Sequence, residues 1–232
     1  MAQLQPGDAL SPPSMPSSYT APQYPYVAPP EVRSGGIART KVAIVGAGPV
    51  GLACAIDLAQ HGIDALIVDD NNTVSTGSRA ICYAKRALEI LDRLGCGDAI
   101  CERGVRWNVG KVFHRDALAY QFDLLVESGH KRPAFINLQQ YHLEETLVAR
   151  LSAVGRTVRW KNRAAGIDAR TDGVRLHIDT PDGRYAIDAD YVIAADGARS
   201  ALRDLLGLEW KGQVFNDRFL IADVCMQGEF PT

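Results

Sequence analysis

Apolar positions along the chain change spacing in an order that predicts strands followed by helices. The run VAIV at residues 42–45 has no polar alternation, which is typical of a parallel strand covered on both faces. A second apolar run, in DALIVDD, ends at Asp69. Leucines at helical spacing predict helices within residues 83–95 and 135–151. This order predicts an α/β fold built on a parallel sheet.

The second half of the chain predicts a hairpin and then another strand that leads into a helix. GVRLHIDT at residues 173–180 alternates apolar and polar positions, PDG is a turn signal, and RYAIDAD returns. The apolar run at residues 192–195 then ends at Asp196 and Gly197. Because ligands of such sheets bind outside the carboxyl ends of the strands, we expect this junction to face a ligand.

Composition changes along the chain and predicts its domains. Residues 1–36 hold eight of the twelve prolines, which predicts a disordered tail, with a proline-rich ligand for an aromatic groove as the alternative. Residues 101–135 read as short β segments, and residues 214–232 begin a strand at Phe219–Val224, so both belong to a partial second domain. Residues 37–100 and 136–213 form one discontinuous domain.

A glycine-rich turn follows the first strand. Gly46, Gly48 and Gly51 fit G-x-G-x-x-G directly after a strand and before a helix, the context that the dinucleotide-binding motif requires. Pro49 suits the first helical position, and Val50 completes the loop. The glycines allow a tight turn, close approach of a pyrophosphate and close helix packing, while the helix N-terminus favours an anion. The alternative is a chance glycine-rich turn.

Asp69 and Asp70 end the second strand. Asp69 lies about 20 residues after the glycines, where the motif places a carboxylate that accepts hydrogen bonds from a ribose. NAD and FAD both carry a pyrophosphate and an adenosine ribose with a free 2′-hydroxyl. The motif therefore predicts a dinucleotide and leaves the choice between the two open.

Overall composition removes several function classes. A net charge of −2 over 232 residues offers no electrostatic footprint for nucleic acid. The five cysteines form no C-x-x-C pair and have no histidines at zinc-like spacing, so we expect free thiols, a cytoplasmic location and no metal site. The sequence contains neither an apolar run of the ~18 residues that a membrane span needs nor a secretory leader pattern.

Three separated stretches carry a resemblance to a known family. They are GAGPVGLACAIDLAQHGIDALIVDD with the SRA that follows, NLQQYHLEETL, and DYVIAADGARSALRDLLG, which contains a D-G…S…R pattern. The sequence resembles the N-terminal part of a group A flavoprotein monooxygenase, an FAD-dependent aromatic (phenol-type) hydroxylase with the p-hydroxybenzoate hydroxylase fold. The resemblance implies a Rossmann-like FAD-binding domain with the beginning of a mixed-sheet substrate domain, truncated at the C-terminus because the family's downstream Gly-Asp stretch has no counterpart.

The resemblance assigns cofactor roles in the first two stretches. The three glycines would hold the FAD pyrophosphate, and Asp69 the adenosine ribose. Arg79 matches an arginine that reaches the cofactor phosphates, and Gln140 a residue that contacts the ribityl chain. The structural alternatives are a solvated loop arginine and a residue that only begins a helix.

In the third stretch, Asp196 and Gly197 match the element that serves both FAD and NAD(P)H, and Arg203 belongs to the same pattern. Asp196 has a structural alternative as a turn former or helix N-cap. Arg203 has one as the partner of Asp204 or Glu209 on an exposed face.

The resemblance also implies the chemistry. NADH or NADPH would reduce the flavin, and O2 would add at C4a to give a hydroperoxide that hydroxylates a small aromatic (phenolic) substrate. We identify no catalytic residue, and we expect this N-terminal portion to be incomplete for catalysis. A homodimer is compatible with the sequence. The alternatives are a truncated FAD-binding module without turnover and an NAD-dependent dehydrogenase.

Overall fold

The computed structural model of the protein describes residues 19–77, 79–213 and 215–218. Its strands are β1 (Ile37–Val45), β2 (Ala65–Val68), β3 (Cys82–Ala84), β4 (Val105–Trp107), β5 (Val109–His114), β6 (Ala117–Asp123), β7 (Phe135–Asn137), β8 (Val158–Arg159), β9 (Arg163–Arg170), β10 (Gly173–Thr180) and β11 (Gly183–Ala194). Its helices are α1 (Pro30–Ser34), α2 (Pro49–Gln60), α3 (Lys85–Arg93), α4 (Gly97–Arg103), α5 (Gln140–Ala153) and α6 (Ala201–Leu205).

The centre of the molecule is a six-stranded mixed sheet in the order β8-β2-β1-β11-β10-β9. β1 runs parallel to both β2 and β11, whereas β10 runs antiparallel to β9 and β11. The apolar run at residues 42–45 is buried throughout, as expected for a strand inside a parallel sheet. The predicted α/β fold is confirmed.

β11 joins two elements that the sequence pattern separates. One strand of 12 residues contains both the returning strand of the predicted hairpin and the apolar run that begins at residue 192. Only Ala195, the last residue of that run, lies beyond the end of the strand. Residues 183–189 pair with β10, and residues 186–194 pair with β1 as far as the pair Val45 and Ala194. A single strand therefore connects the hairpin turn to the carboxyl edge of the sheet.

Helices cover one face of the sheet and form the larger apolar cluster. Leu147 of α5 and Ile56 of α2 are fully buried against Ile44 of β1, and α3 adds Leu88. On the other face, a smaller cluster contains Leu176, Ile187 and Leu202 and the neighbouring apolar residues of β9–β11. Among the described residues, none of the helices is long and apolar enough to cross a membrane.

Short strands interrupt the α/β order between α4 and α5. β3, β7 and β4 form a three-stranded sheet, and β5 pairs with β6 in a separate hairpin. The hairpin keeps large apolar side chains such as Phe113 and Tyr120 exposed. The assignment of residues 101–135 and 214–232 to a second domain stays a prediction, and the strand predicted at Phe219–Val224 lies outside the described residues.

The segment before β1 packs on the domain, and we call residues 19–36 the strap. The ring of Tyr24 stacks on Trp160, with centroids 4.6 Å apart and planes 7° from parallel. The Thr73 hydroxyl donates a hydrogen bond of 2.6 Å to the carbonyl oxygen of Pro22. The strap therefore differs from the disordered tail predicted for residues 1–36, because spaced aromatic residues give this segment an apolar face to bury.

Candidate cofactor-binding site

Two glycines of the loop between β1 and α2 are required by the fold itself. Gly46 has a φ of 103°, and a Cβ there would lie 2.6 Å from the carbonyl carbon of Ala195 at the end of β11. A Cβ on Gly51 would overlap the carbonyl oxygen of Gly46. These positions let the loop, α2 and the end of β11 approach one another closely.

Gly48 has no such structural requirement. It is the N-cap of α2 with φ −75° and ψ −177°, a conformation open to any residue. A Cβ at Gly48 would meet no atom of the described chain within 4 Å, and the residue lines a cleft. Because Gly48 has no side chain, the backbone of the loop is exposed to the cleft. A group as bulky as a pyrophosphate could therefore approach it.

Asp69 lies at the mouth of this glycine loop. Its Oδ2 accepts a hydrogen bond of 2.6 Å from the Ala47 N–H, and its Oδ1 accepts one of 2.8 Å from the Asn71 N–H. Burial raises the pKa of Asp69, and these two N–H groups partly offset that effect. Each oxygen keeps a second lone pair, so the carboxylate retains acceptor capacity toward the cleft.

The cleft has a volume of about 350 Å³ and opens at the carboxyl ends of β1, β2 and β11. Pro49 begins α2 there, next to Val50. Nine of the twelve predicted site residues line it: Gly46, Gly48, Pro49, Val50, Asp69, Asp70, Gln140, Asp196 and Gly197. The cofactor roles of all twelve residues remain predictions.

The other three predicted residues lie outside the lining. Gly51 faces the turn of its own loop, and Arg79 is exposed. The Arg203 guanidinium donates a hydrogen bond of 2.9 Å to the carbonyl oxygen of Ala198 and contacts Asp204 at 3.0 Å. These contacts match the structural alternative for Arg203.

Asp196 organises the start of α6 as well as lining the cleft. Its Oδ1 accepts a hydrogen bond of 2.7 Å from the Ser200 hydroxyl, and its Oδ2 accepts one of 3.0 Å from the Leu202 N–H. Ser200 in turn accepts a hydrogen bond from the Arg203 N–H. Ser200 is therefore the N-cap residue of α6, and Asp196 supports this cap while it lines the cleft.

Sequence reasoning missed several polar residues of the cleft. Glu144 is 3% exposed, and its carboxylate accepts hydrogen bonds from the Ser75 N–H at 2.5 Å and from the Gln140 amide at 2.8 Å. Its spacing of four residues from Gln140, on the apolar side of α5, was the available signal. The remaining missed residues are Asn162, Arg163 and Arg199.

A larger hollow of about 740 Å³ lies elsewhere, beside the first half of β1. Two of its charged residues pair with each other, since Arg175 makes two hydrogen bonds of 2.6 and 2.7 Å to the Asp188 carboxylate. This network lies away from the carboxyl ends of the parallel strands, where ligands of such sheets bind. The smaller cleft is therefore the candidate site, despite its volume.

Comparison with known proteins agrees with this geometry. Residues 39–231 match the family model described as FAD binding domain. The chain belongs to this family. Within it, the chain resembles the flavin-dependent monooxygenases, so the implied group A membership is confirmed and the chain is by family part of an oxidoreductase.

Two relatives show the range of names in the family. The chain is 34% identical over 194 residues to 3-(3-hydroxy-phenyl)propionate/3-hydroxycinnamic acid hydroxylase 2 of Burkholderia vietnamiensis, covering 80% of this chain and 34% of that protein. It is 29% identical over 186 residues to para-nitrophenol 4-monooxygenase of a Pseudomonas species, covering 79% and 46%. The chain thus spans less than half the length of these relatives.

Solved structures share the fold. The p-nitrophenol 4-monooxygenase of Pseudomonas putida superposes with a TM-score of 0.71 at 29% identity, over 77% of this chain and 46% of that chain. The flavin-dependent monooxygenase PieE, solved in complex with FAD and substrate, gives a TM-score of 0.66 at 25% identity, over 75% and 33%. The predicted fold class, of the p-hydroxybenzoate hydroxylase type, is confirmed.

Proposed function

We propose that this chain is the FAD-binding part of an FAD-dependent, NAD(P)H-using monooxygenase that hydroxylates a small phenolic compound with O2. The observation that carries the proposal is the bare backbone at Gly48, beside the carboxylate of Asp69 and at the N-terminus of α2. The names of the relatives, which include a nitrophenol monooxygenase and a hydroxyphenylpropionate hydroxylase, support the substrate class.

Each part of the cleft has a task in this proposal. The first turn of α2 offers N–H groups to the diphosphate, and Asp69 accepts hydrogen bonds from the adenosine ribose. Gln140 serves the ribityl chain, with its amide oriented by Glu144. Asp196 and Gly197 close the far side, at the end of β11.

Bound FAD would supply the redox chemistry, accepting hydride from NADH or NADPH and oxygenating the ring by the C4a-hydroperoxide route. The protein's share is to orient the cofactor and to exclude water. A homodimer and a cytoplasmic location stay predictions from the sequence.

The experiment is a titration of the purified 232-residue chain with FAD and, separately, with NADH and NADPH. We expect the chain to bind flavin in a 1:1 ratio. NAD(P)H oxidation that a phenol stimulates, with formation of a hydroxylated product, is expected of the whole protein to which this FAD-binding part belongs. FAD binding without product would favour the alternative of a binding module without turnover. Binding of NAD in place of FAD would refute the proposal and favour a dehydrogenase.

A further inference from the structure

The strap precedes the family match, which begins at residue 39, and it contacts the segment that follows Asp69. The Tyr24 N–H donates a hydrogen bond of 2.8 Å to the Asn72 carbonyl oxygen, and the Asn72 amide donates one of 3.2 Å to the Tyr24 carbonyl oxygen. The Thr73 hydroxyl adds its hydrogen bond to Pro22. Backbone groups of the strap thus hold the loop on one side of Asp69.

The strap also contacts the turn at residues 160–162, on the other side of Asp69. This turn holds Lys161 at a φ of 58°, a conformation that costs a non-glycine residue energy and persists where its surroundings enforce it. The Asn162 N–H donates a hydrogen bond of 2.7 Å to the Asp69 carbonyl oxygen. Stacking of Tyr24 on Trp160 secures the start of the same turn.

A chain of polar contacts links the strap to the cleft wall. Both terminal nitrogens of the Arg159 guanidinium contact the Glu31 carboxylate of α1, at 3.1 and 3.3 Å. Arg159 also donates to the Tyr185 hydroxyl at 3.1 Å, and that hydroxyl donates to Asn162 at 2.8 Å. Asn162 is 1% exposed and lines the cleft, so the chain reaches from Glu31 to the candidate site.

We propose that the strap is a positioning element for the adenosine end of the FAD site, acting through Tyr24 and Glu31 on the wall formed by Asp69 and Asn162. The inference rests on the proposed function, in which Asp69 accepts hydrogen bonds from the adenosine ribose of FAD. It assigns a role to a segment that lies outside the residues matched by the family model.

Thermodynamic linkage makes the inference quantitative. If the docked strap strengthens FAD binding by some factor, bound FAD must stabilise the docked strap by the same factor. The Tyr24 N–H, hydrogen-bonded to Asn72, reports docking through its rate of hydrogen exchange. FAD should therefore slow exchange at Tyr24, although this residue does not line the cleft.

The test compares two strap variants with two controls in the full 232-residue chain. Glu31→Gln removes the charge that Arg159 contacts, and Tyr24→Leu removes the ring stacked on Trp160. The controls are Arg33→Gln on the same helix and Val27→Ala, whose side chains are exposed. We expect each strap variant to raise the FAD dissociation constant at least about fivefold, the lower end of ordinary coupling between sites, and the controls to leave it unchanged.

Unchanged FAD affinity in Glu31→Gln, or equal loss in Arg33→Gln, would overturn the proposal. If Tyr24→Leu fails to fold, the milder Glu31→Gln carries the test. If the parent chain binds no FAD, the proposed function fails, and exchange in the ligand-free protein decides whether strap and wall are connected. Faster exchange at Lys161 and Asn162 in Glu31→Gln than in Arg33→Gln would support that connection, and equal rates would refute it.

Discussion

Gly48→Ala should separate cofactor binding from folding. The new methyl group would meet no described atom within 4 Å, and the backbone conformation suits alanine. Reduced freedom of the unfolded chain favours the variant by about 0.4–1 kcal/mol. Alanine is a poorer N-cap than glycine by about the same amount. The two effects have opposite signs, so the free energy of unfolding should change by less than about 1 kcal/mol.

Binding should respond differently, because the methyl group projects into the cleft where the diphosphate is proposed to approach. We expect FAD affinity to fall at least about tenfold, equivalent to about 1.4 kcal/mol. Gly51→Ala is the comparison variant, in which folding rather than binding should suffer. Its Cβ would overlap the Gly46 carbonyl oxygen and lie 3.1 Å from the Gly46 carbonyl carbon. That overlap should cost about 1–3 kcal/mol of folding stability, or more.

The assay is a pair of measurements on each variant. Thermal unfolding without ligand gives the stability, where 1 kcal/mol corresponds to about 2–4 °C in Tm for a chain of this size. Titration with FAD, followed by flavin fluorescence, gives the dissociation constant. Gly48→Ala should keep its Tm and lose affinity, whereas Gly51→Ala should lose Tm in the absence of any cofactor.

A Gly48→Ala protein that binds FAD as tightly as the parent would refute the reasoning. In that case the bare backbone at this position would have no connection with the diphosphate. A large loss of Tm in ligand-free Gly48→Ala would refute the prediction of unchanged stability, because it would show that the fold requires glycine at this position.

Three further perturbations have defined outcomes. Glu144→Gln replaces one of the two oxygens that accept hydrogen bonds from the Ser75 N–H and the Gln140 amide with an NH2 donor, so denaturant unfolding should show a loss of about 1–3 kcal/mol. Leu147→Ala leaves a cavity under α5 and should cost about 2–5 kcal/mol in the same measurement. The hydrogen bonds from Arg175 hold the pKa of Asp188 below its ordinary value, so its stabilisation is present above that value and lost as the pH falls. Asp188→Asn should therefore lower Tm at neutral pH, with a deficit that shrinks below about pH 4.

Controls for these variants lie on the same elements. Ser152→Ala on α5 changes an exposed side chain and should keep the stability of the parent within about 0.5 kcal/mol. Asp182→Asn, at the tip of the turn between β10 and β11, is exposed and should leave the pH dependence unaltered. A pH-independent Tm deficit in Asp188→Asn, or parental stability in Leu147→Ala, would contradict the corresponding expectation.

Local signals explain why much of the sheet and half of the site were predictable. The glycine loop is a contiguous motif, so its strand, turn and helix all follow from neighbouring residues. The end of α3 also has a local signal, since Gly95, just after the C-cap Leu94, has a φ of 80° that favours glycine. Asp69 and Gln140 were predictable because motif spacing and family resemblance place them at element ends.

Long-range contacts explain why the sequence did not predict the packed strap, the continuous strand β11 and the cleft residue Asn162. Tyr24 docks because Trp160 and Asn72, both distant in sequence, lie next to it in space, and the proline-rich sequence around Tyr24 gives no sign of these contacts. β11 was divided because Asp188 and Asp190 interrupt its apolar pattern, although Asp188 pairs across the sheet with Arg175. Asn162 offers no local signal, since its burial depends on Tyr185.

Because β11 is continuous, the number of its residues fixes the position of the cleft residue Asp196 relative to the hairpin turn. A strand advances about 3.3 Å per residue and reverses its faces with every step, so inserting one residue between Gly183 and Ala194 would displace Asp196 and exchange the two surfaces. An insertion in the turn before Gly183 would leave that alignment intact. Length variation during the evolution of such chains should therefore accumulate in the turn and be eliminated from the strand.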